Sequence, residues 1–144
     1  MNPHVGNALW LVSALPLWYL SPVAHPLAAG VLSLIPFIGG LALVVGAAVG
    51  IAERRPSLIY FLVSPLLSEC YVAVAGALRG QLRGNSGWIP TSVFAVVQVA
   101  LLIWLLVFRL KGGRIAASAL ALFCASYAFF AWFVGAMAFA DDWL

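Results

Sequence analysis

Glu69 is the only charged side chain that lies well inside an apolar run of this sequence. An acid at the centre of a membrane-spanning helix costs about 2.5–3.5 kcal/mol on insertion scales, so a proton, a partner, water or a ligand must offset that cost. A helical rise of about 1.5 Å per residue puts Glu69, Gln98 and Tyr127 at depths of roughly 16–18 Å on three successive apolar segments. We therefore predict that these three side chains share the middle of a bilayer.

The residues around Glu69 are compatible with a binding site. Pro65, four residues earlier, has no backbone N–H to donate and leaves the carbonyl of Phe61 without its helical partner. Ser64 and Ser68 lie on an adjoining face of the same helix. The predicted substrate- or ion-binding residues are Glu69, Gln98, Tyr127, Ser64 and Ser68.

Two interpretations of Glu69 stay open at this stage. In one, a protonated Glu69 donates to Gln98, and the pair only fixes the packing of two helices. In the other, Glu69 exchanges a proton and binds a cation or an amine-bearing solute. We favour the second, because Asn or Gln alone would serve an isolated clamp. Tyr127, taken singly, is more typical of packing than of a site.

The sequence offers little other chemistry. His4 and His25 are the only histidines, and five spans would place them on opposite sides of a membrane, away from any shared metal or haem. No Ser-His-Asp set can meet at one depth, and no Gly-rich phosphate loop with its lysine is present. Cys70 and Cys124 lie in apolar segments without a CxxC pattern and are predicted to be packing residues. We expect no enzymatic activity, no cofactor and no metal site.

The composition indicates a membrane protein. Of 144 residues, 65% are hydrophobic and only 8% are charged, with a mean hydropathy of +1.12. Soluble domains carry about 25% charged residues, so a water-soluble monomer is excluded, and disorder would need low hydrophobicity. The net charge of +3 comes from basic residues between apolar runs, which indicates topology rather than nucleic-acid binding. We predict a single transmembrane domain over residues 1–144.

Charged and turn-forming stretches divide the chain into apolar segments, each to be compared with the roughly 20 residues that a spanning helix needs. The segments are Val5–Leu20, Leu27–Ala52, Leu58–Leu78, Ile89–Phe108 and Ile115–Ala140. The first is short, contains Pro16 and precedes a proline-rich break at residues 21–26, so it either spans or dips in and returns. The predicted fold class is therefore all-α, a polytopic transmembrane helix bundle of four or five spans.

The basic residues predict how this bundle is oriented. One face carries Arg54, Arg55, Arg109, Lys111 and Arg114, whereas the other carries only Arg79 and Arg83. The positive-inside rule places the first face in the cytoplasm of a bacterium and the C-terminus outside its inner membrane. The N-terminus is cytoplasmic with five spans and outside if the first segment only dips in. An aromatic belt at the outer interface is predicted from Trp18, Tyr19, Trp88 and Trp143.

Small residues predict how the helices pack. Ala42, Gly46 and Gly50 recur every fourth residue on the second segment, and Ala117, Ala121 and Ala125 do so on the fifth. Such stripes let helix backbones approach closely. We predict that they pack against other helices of the same chain, with an oligomer interface as the alternative.

These observations lead to two functional hypotheses. The first is a small channel or carrier component for a cation, a proton or a small polar solute, centred on Glu69. The second is a non-transporting accessory subunit, or an immunity protein, that binds a membrane partner through its helices. In either case the expected partners are the lipid bilayer and a homo-oligomer or larger membrane complex, and no nucleic acid.

Overall fold

The computed structural model describes residues 3–24, 34–79, 81, 87–109 and 113–140, and these residues form an all-α bundle without a strand. Five α-helices follow one another, and a 3₁₀ segment, Pro56–Leu62, leads directly into the third. The helices are α1 (Pro3–Ala24), α2 (Leu34–Ala52), α3 (Val63–Ala77), α4 (Trp88–Arg109) and α5 (Arg114–Ala140). The predicted all-α fold class is confirmed.

Four stretches are long and apolar enough to cross a membrane. They are Leu34–Ala52, Pro56–Ala77, Trp88–Phe108 and Arg114–Ala140. The last two agree within one residue with the predicted segments, and Pro90 lies in the first turn of α4, where its missing N–H is harmless. Residues 27–33, the start of the predicted second segment, lie outside the described residues. The same holds for His25, Arg83 and Lys111, which belong to the predicted connections.

The bundle has two ends that the connections define. At the Arg55 end, α2 and α4 end and α5 begins; there, a Cβ at Gly113 would lie 3.0 Å from Arg55 Cδ. At the Trp88 end, α3 and α5 end and α4 begins; there, a Cβ at Gly87 would lie 3.4 Å from Phe139 Cβ. The spanning helices therefore alternate in direction along the chain.

Helix α1 begins at the Trp88 end of the bundle. His4 Nδ1 lies 3.0 Å from Gln81 Nε2, just beyond the end of α3. The backbone of α1 also approaches Gly76 so closely that a Cβ there would lie 2.9 Å from Ala8 Cα. Because α1 starts beside the end of α3, it runs antiparallel to α3 and parallel to α2.

Helix α1 has 22 residues, about 33 Å, and ends past the middle of the bundle but before the Arg55 end. Its Tyr19 meets Gly39 of α2, where an added Cβ would overlap the Tyr19 hydroxyl. Beyond this contact α1 continues for five residues, about 8 Å, whereas α2 continues for thirteen, about 20 Å, to the Arg55 end. Helix α1 therefore stops about 12 Å short of that end. Four helices other than α1 are long and apolar enough to be candidate spans.

The break predicted at residues 21–26 begins later than expected. Helix α1 continues through Pro22 to Ala24, and residues 25 and 26 lie outside the described part of the chain. Tyr19 is only 2% exposed and lies at mid-depth, so its predicted place in an outer aromatic belt is wrong. The belt assumed that α1 runs toward the outer face, whereas α1 starts at the same end of the bundle as Trp88.

Helix α5 is the centre of the bundle and contacts all four other helices. Half of its most apolar stretch is buried, against 22–39% in the other three candidate spans. One core cluster gathers Tyr19, Tyr71, Val72, Ala131 and Phe139 toward the Trp88 end, and a second gathers Phe61, Leu105, Ala117 and Leu120 toward the Arg55 end. Exposed Ile, Val, Leu and Phe cover the outside of the bundle, as expected where lipid replaces water.

The small-residue stripe of α2 packs within the chain. Ala42, Gly46 and Gly50 are buried, and a Cβ at Gly46 would lie 2.8 Å from Leu120 Cγ and 3.1 Å from the backbone nitrogen of that residue. At Gly50 an added Cβ would lie 2.7 Å from Leu58 Cδ1. Glycine at these positions brings the α2 backbone against α5 and the 3₁₀ segment.

This packing predicts a difference between two adjacent leucine substitutions. Gly46→Leu must push the α5 backbone away, so we expect it to lower the free energy of unfolding by about 1–3 kcal/mol. Val45→Leu, at a side chain that is 40% exposed, is expected to change it by less than about 0.5 kcal/mol. Denaturant unfolding of the purified variants in detergent measures both values. Equal stabilities would contradict the packing of α2 on α5.

Candidate functional site

Glu69 is held by Tyr127 across the α3–α5 interface. The Tyr127 hydroxyl donates a hydrogen bond to Glu69 Oε1. Tyr127 is 6% exposed, and Glu69 is partly buried. Before this pair along the chain, Phe61 contacts Cys124 of α5, and after it Tyr71 of α3 contacts Gly135 of α5. Helices α3 and α5 therefore run in the same direction. The structure therefore brings together two of the predicted site residues at one depth.

The second carboxyl oxygen of Glu69 has no such partner. Glu69 Oε2 is shielded by the surrounding protein, and no described residue forms a hydrogen bond with it. Since Oε1 accepts from Tyr127, a proton on the carboxyl group is carried by Oε2. Oε2 is therefore the carboxyl oxygen left without a protein partner among the described residues.

Aromatic side chains pack against Tyr127, the partner of Glu69. The ring of Tyr19 packs edge-on against Tyr127 with ring centroids 4.9 Å apart, and Phe123 and Phe130 complete the contact. The Tyr19 hydroxyl is 2.6 Å from Ser126 Oγ, whose own hydroxyl donates to the carbonyl of Phe123. Because Ser126 has used its proton, Tyr19 is the donor in the first bond. Gly39 of α2 lies against the same two hydroxyl groups, so helices α1, α2 and α5 meet beside the site.

Gln98, Ser64 and Ser68 form a separate polar cluster between α3 and α4. Gln98 Nε2 donates to the carbonyl oxygen of Ser64 (2.9 Å) and to Ser68 Oγ (2.8 Å), while Gln98 Oε1 accepts from Ser64 Oγ (3.0 Å). Ser68 Oγ in turn donates to the carbonyl of Ser64 at 3.0 Å. All three residues are at most 3% exposed. Each donor of this cluster therefore has a partner within the cluster.

The predicted contact between Glu69 and Gln98 is not made in this structure. Residues Ser64 and Ser68 are one turn apart and both face α4, whereas Glu69 is about 100° further around α3 and points toward α5. The five predicted residues therefore divide into two groups: Glu69 with Tyr127, and Gln98 with the two serines.

Sequence reasoning missed Tyr19, Ser126 and Cys124 as neighbours of the site. Cys124 donates its thiol to the carbonyl of Phe61 at 3.3 Å, the carbonyl that Pro65 leaves without a helical partner. The freed carbonyl was visible in the sequence, but its partner on α5 was not. Within the described residues, no group of three or more His, Cys, Asp or Glu side chains could hold a metal ion.

Comparison with known proteins adds no assignment to this geometry. No protein-family model, curated protein or solved structure matches the chain.

Proposed function

We propose that this protein is a small channel or carrier component that moves a proton, a small cation or a small polar solute across a membrane, with Glu69 as the binding group. The observation that carries the proposal is the shielded Glu69 Oε2, which has no hydrogen-bond partner among the described residues. A carboxyl oxygen in a membrane interior is costly unless a proton, a cation or water satisfies it. A carboxyl group that served only packing would have both of its oxygens hydrogen-bonded, just as the side-chain amide of Gln98 is fully hydrogen-bonded.

Tyr127 supports a role in proton or cation binding. Its phenol stabilises an ionised Glu69 by donating to Oε1, and it leaves Oε2 available for exchange. The pair therefore accommodates both the charged and the neutral carboxyl group. A group that carries charge across a bilayer needs two such states.

The course of α1 supports the same proposal. Helix α1 enters from the Trp88 end, and its Tyr19 packs against Tyr127 near mid-depth. Helices that stop inside the membrane are typical of transporters, and α1 stops about 12 Å short of the Arg55 end.

The test is a flux measurement in proteoliposomes that contain only this protein. We expect proton or monovalent-cation flux above that of empty liposomes, driven by an imposed gradient. Flux indistinguishable from empty liposomes for protons, sodium, potassium and ammonium would overturn the transport proposal.

A second candidate function is an accessory subunit, and one surface favours it. A groove of about 350 Å³ runs between α4 and α5, lined by apolar side chains and by the small residues Ala95, Ala125 and Ala128. Small residues on adjacent helices would let a helix of another membrane protein approach closely. Purification in native lipid followed by mass spectrometry tests this function, because a stoichiometric membrane partner would favour the accessory role. The same experiment tests the proposed assembly into a homo-oligomer or a larger complex.

We also propose a bacterial inner membrane as the location, with the Arg55 end in the cytoplasm. Arg54, Arg55 and Arg114 lie at that end, and the positive-inside rule then places Pro3 and Ala140 outside. Reporter fusions at Gly113 and after Leu144 are expected to report cytoplasm and outside, respectively. A fusion at Pro3 is expected to report outside, because α1 starts at the Trp88 end. A cytoplasmic signal at both Pro3 and Leu144 would invert the orientation, and opposite signals would contradict four spans.

A further inference from the structure

An open groove lies at the Arg55 end between α2 and the 3₁₀ segment. Its volume is about 520 Å³, within the range of roughly 300–1,000 Å³ that ligand pockets occupy. Leu43 and Ala47 of α2 form one wall, and Ile59 and Leu62 form the other. Ile59 is 66% exposed and Leu62 is 52% exposed, so the groove opens sideways toward the surrounding lipid.

The groove has the depth of one leaflet. Leu43 and Arg54 line its two ends; the nine helical steps from Leu43 to Ala52, the last residue of α2, rise about 14 Å, and Arg54 follows in the turn beyond. The hydrocarbon core of a bilayer is about 30 Å thick, so half of it is about 15 Å. An apolar chain that starts at the Arg55 end would therefore reach the membrane centre along this groove.

Two arginines stand at the mouth of the groove. Arg54 and Arg55 both line it, and Arg54 is exposed. Arg55 Nε lies 2.8 Å from Glu53 Oε2, so the two residues form an ion pair in which their charges cancel. The N–H at Nε does not point at this oxygen and makes no hydrogen bond with a described residue. The mouth therefore carries net positive charge at the level of the lipid headgroups.

The backbone of Arg54 is held in a conformation that favours glycine. Its φ is 51°, in the left-handed region, where Arg54 N bonds the carbonyl of Ile51 and Arg55 N bonds the carbonyl of Gly50. This pattern ends many helices and usually has glycine at the position of Arg54. An arginine kept at a strained position indicates that its side chain contributes something that glycine would not.

We propose that this groove binds one anionic phospholipid, with the phosphate against Arg54 and Arg55 and an acyl chain along α2 toward Leu43. The charge of the mouth, the apolar walls and the one-leaflet depth each match a different part of that molecule. Basic pockets between transmembrane helices are a known way of binding anionic headgroups. The site is independent of Glu69 and of the proposed transport function.

Titration of the purified protein with phosphatidylglycerol or with phosphatidylcholine of the same chains, followed by native mass spectrometry, tests the proposal. We expect phosphatidylglycerol to bind at least about fivefold more tightly, the factor that one basic residue near the membrane surface contributes. Arg54→Gln is expected to lower its affinity about fivefold and to leave phosphatidylcholine unchanged. Arg114→Gln, an exposed arginine at the same end but outside the groove, is the matched control and is expected to have no such effect.

The apolar part of the site has its own matched pair. Ala47→Leu fills the groove and is expected to weaken both lipids, whereas Ala48→Leu, on the adjacent exposed position outside the groove, is expected to weaken neither. Equal affinities for the two lipids, or an equal loss in Arg114→Gln, would overturn the proposal. Displacement of phosphatidylglycerol by glycerol 3-phosphate at similar concentration would show an anion site without an acyl groove. A change of oligomeric mass in Ala47→Leu with lipid binding unchanged would show that a second copy occupies the groove instead.

Discussion

Glu69→Gln is expected to abolish flux while the protein stays folded. The amide has nearly the shape of the carboxyl group, and its oxygen still accepts the hydrogen bond that Tyr127 donates. On the transport proposal, the substitution removes the proton that Oε2 would exchange and the negative charge that a cation would contact. We therefore expect proteoliposome flux to fall to the level of empty liposomes, with an unchanged unfolding midpoint in detergent.

Tyr127→Phe separates the contribution of the phenol from that of the carboxyl group. It leaves Glu69 without a described hydrogen-bond partner, so we expect a lower flux and a protein that remains folded. Tyr71→Phe is the matched control: the Tyr71 hydroxyl is also buried and donates to Thr91 Oγ1 at 3.2 Å, away from Glu69. Flux that falls equally in both variants would indicate a general loss of packing.

The opposite outcome at Glu69 is equally informative. If Glu69→Gln transports as well as the wild type, the carboxyl proton plays no part, and Glu69 is a packing residue. Glu69→Leu would then be expected to gain stability, because replacing a buried polar group by an apolar one is often neutral or stabilising. A wild type without flux, together with a co-purifying membrane protein, would leave the accessory role.

The depth of the site could be predicted from the sequence because helical rise is constant. Glu69 and Tyr127 lie at one level, as the residue count from the segment ends indicates. The partner of Glu69 could not be predicted, since rotation of a helix about its axis depends on every neighbour at once. Ser64 and Ser68 turn toward α4 and occupy Gln98, which leaves Glu69 on the side of α5.

The helices were predictable to different degrees for a similar reason. Charged or turn-forming residues flank α4 and α5 on both sides, so their ends follow from composition. No charged residue lies between α1 and α2, and prolines alone did not say where α1 stops, because α1 continues through Pro16 and Pro22. Its place in the bundle depends on contacts with Gly39 and Gly76, which bring distant parts of the chain together.

Gly39→Ala is the substitution from which we expect the largest loss of stability, because Tyr19 of α1 contacts Gly39. A Cβ at Gly39 would overlap Tyr19 Oη and Ser126 Oγ, so Gly39→Ala must break the hydrogen bond between them or move α2 away. Overpacking costs about 1–3 kcal/mol and an unsatisfied buried hydroxyl about 1–3 more, against about 1 kcal/mol gained in helix propensity. We expect a net loss of about 1–5 kcal/mol in the free energy of unfolding, measured with denaturant in detergent.

The neighbouring glycine and a compensating substitution make this prediction specific. Gly40→Ala, at a partly exposed position, is expected to gain up to about 1 kcal/mol from propensity alone. Tyr19→Phe removes the hydroxyl that the new methyl group meets, so Gly39→Ala combined with Tyr19→Phe is expected to be more stable than the sum of the two single effects. If Gly39→Ala is as stable as Gly40→Ala, Tyr19 does not lie against α2. Helix α1 would then not bring Tyr19 against Tyr127, and the support that this contact gives to a site at Glu69 would be lost.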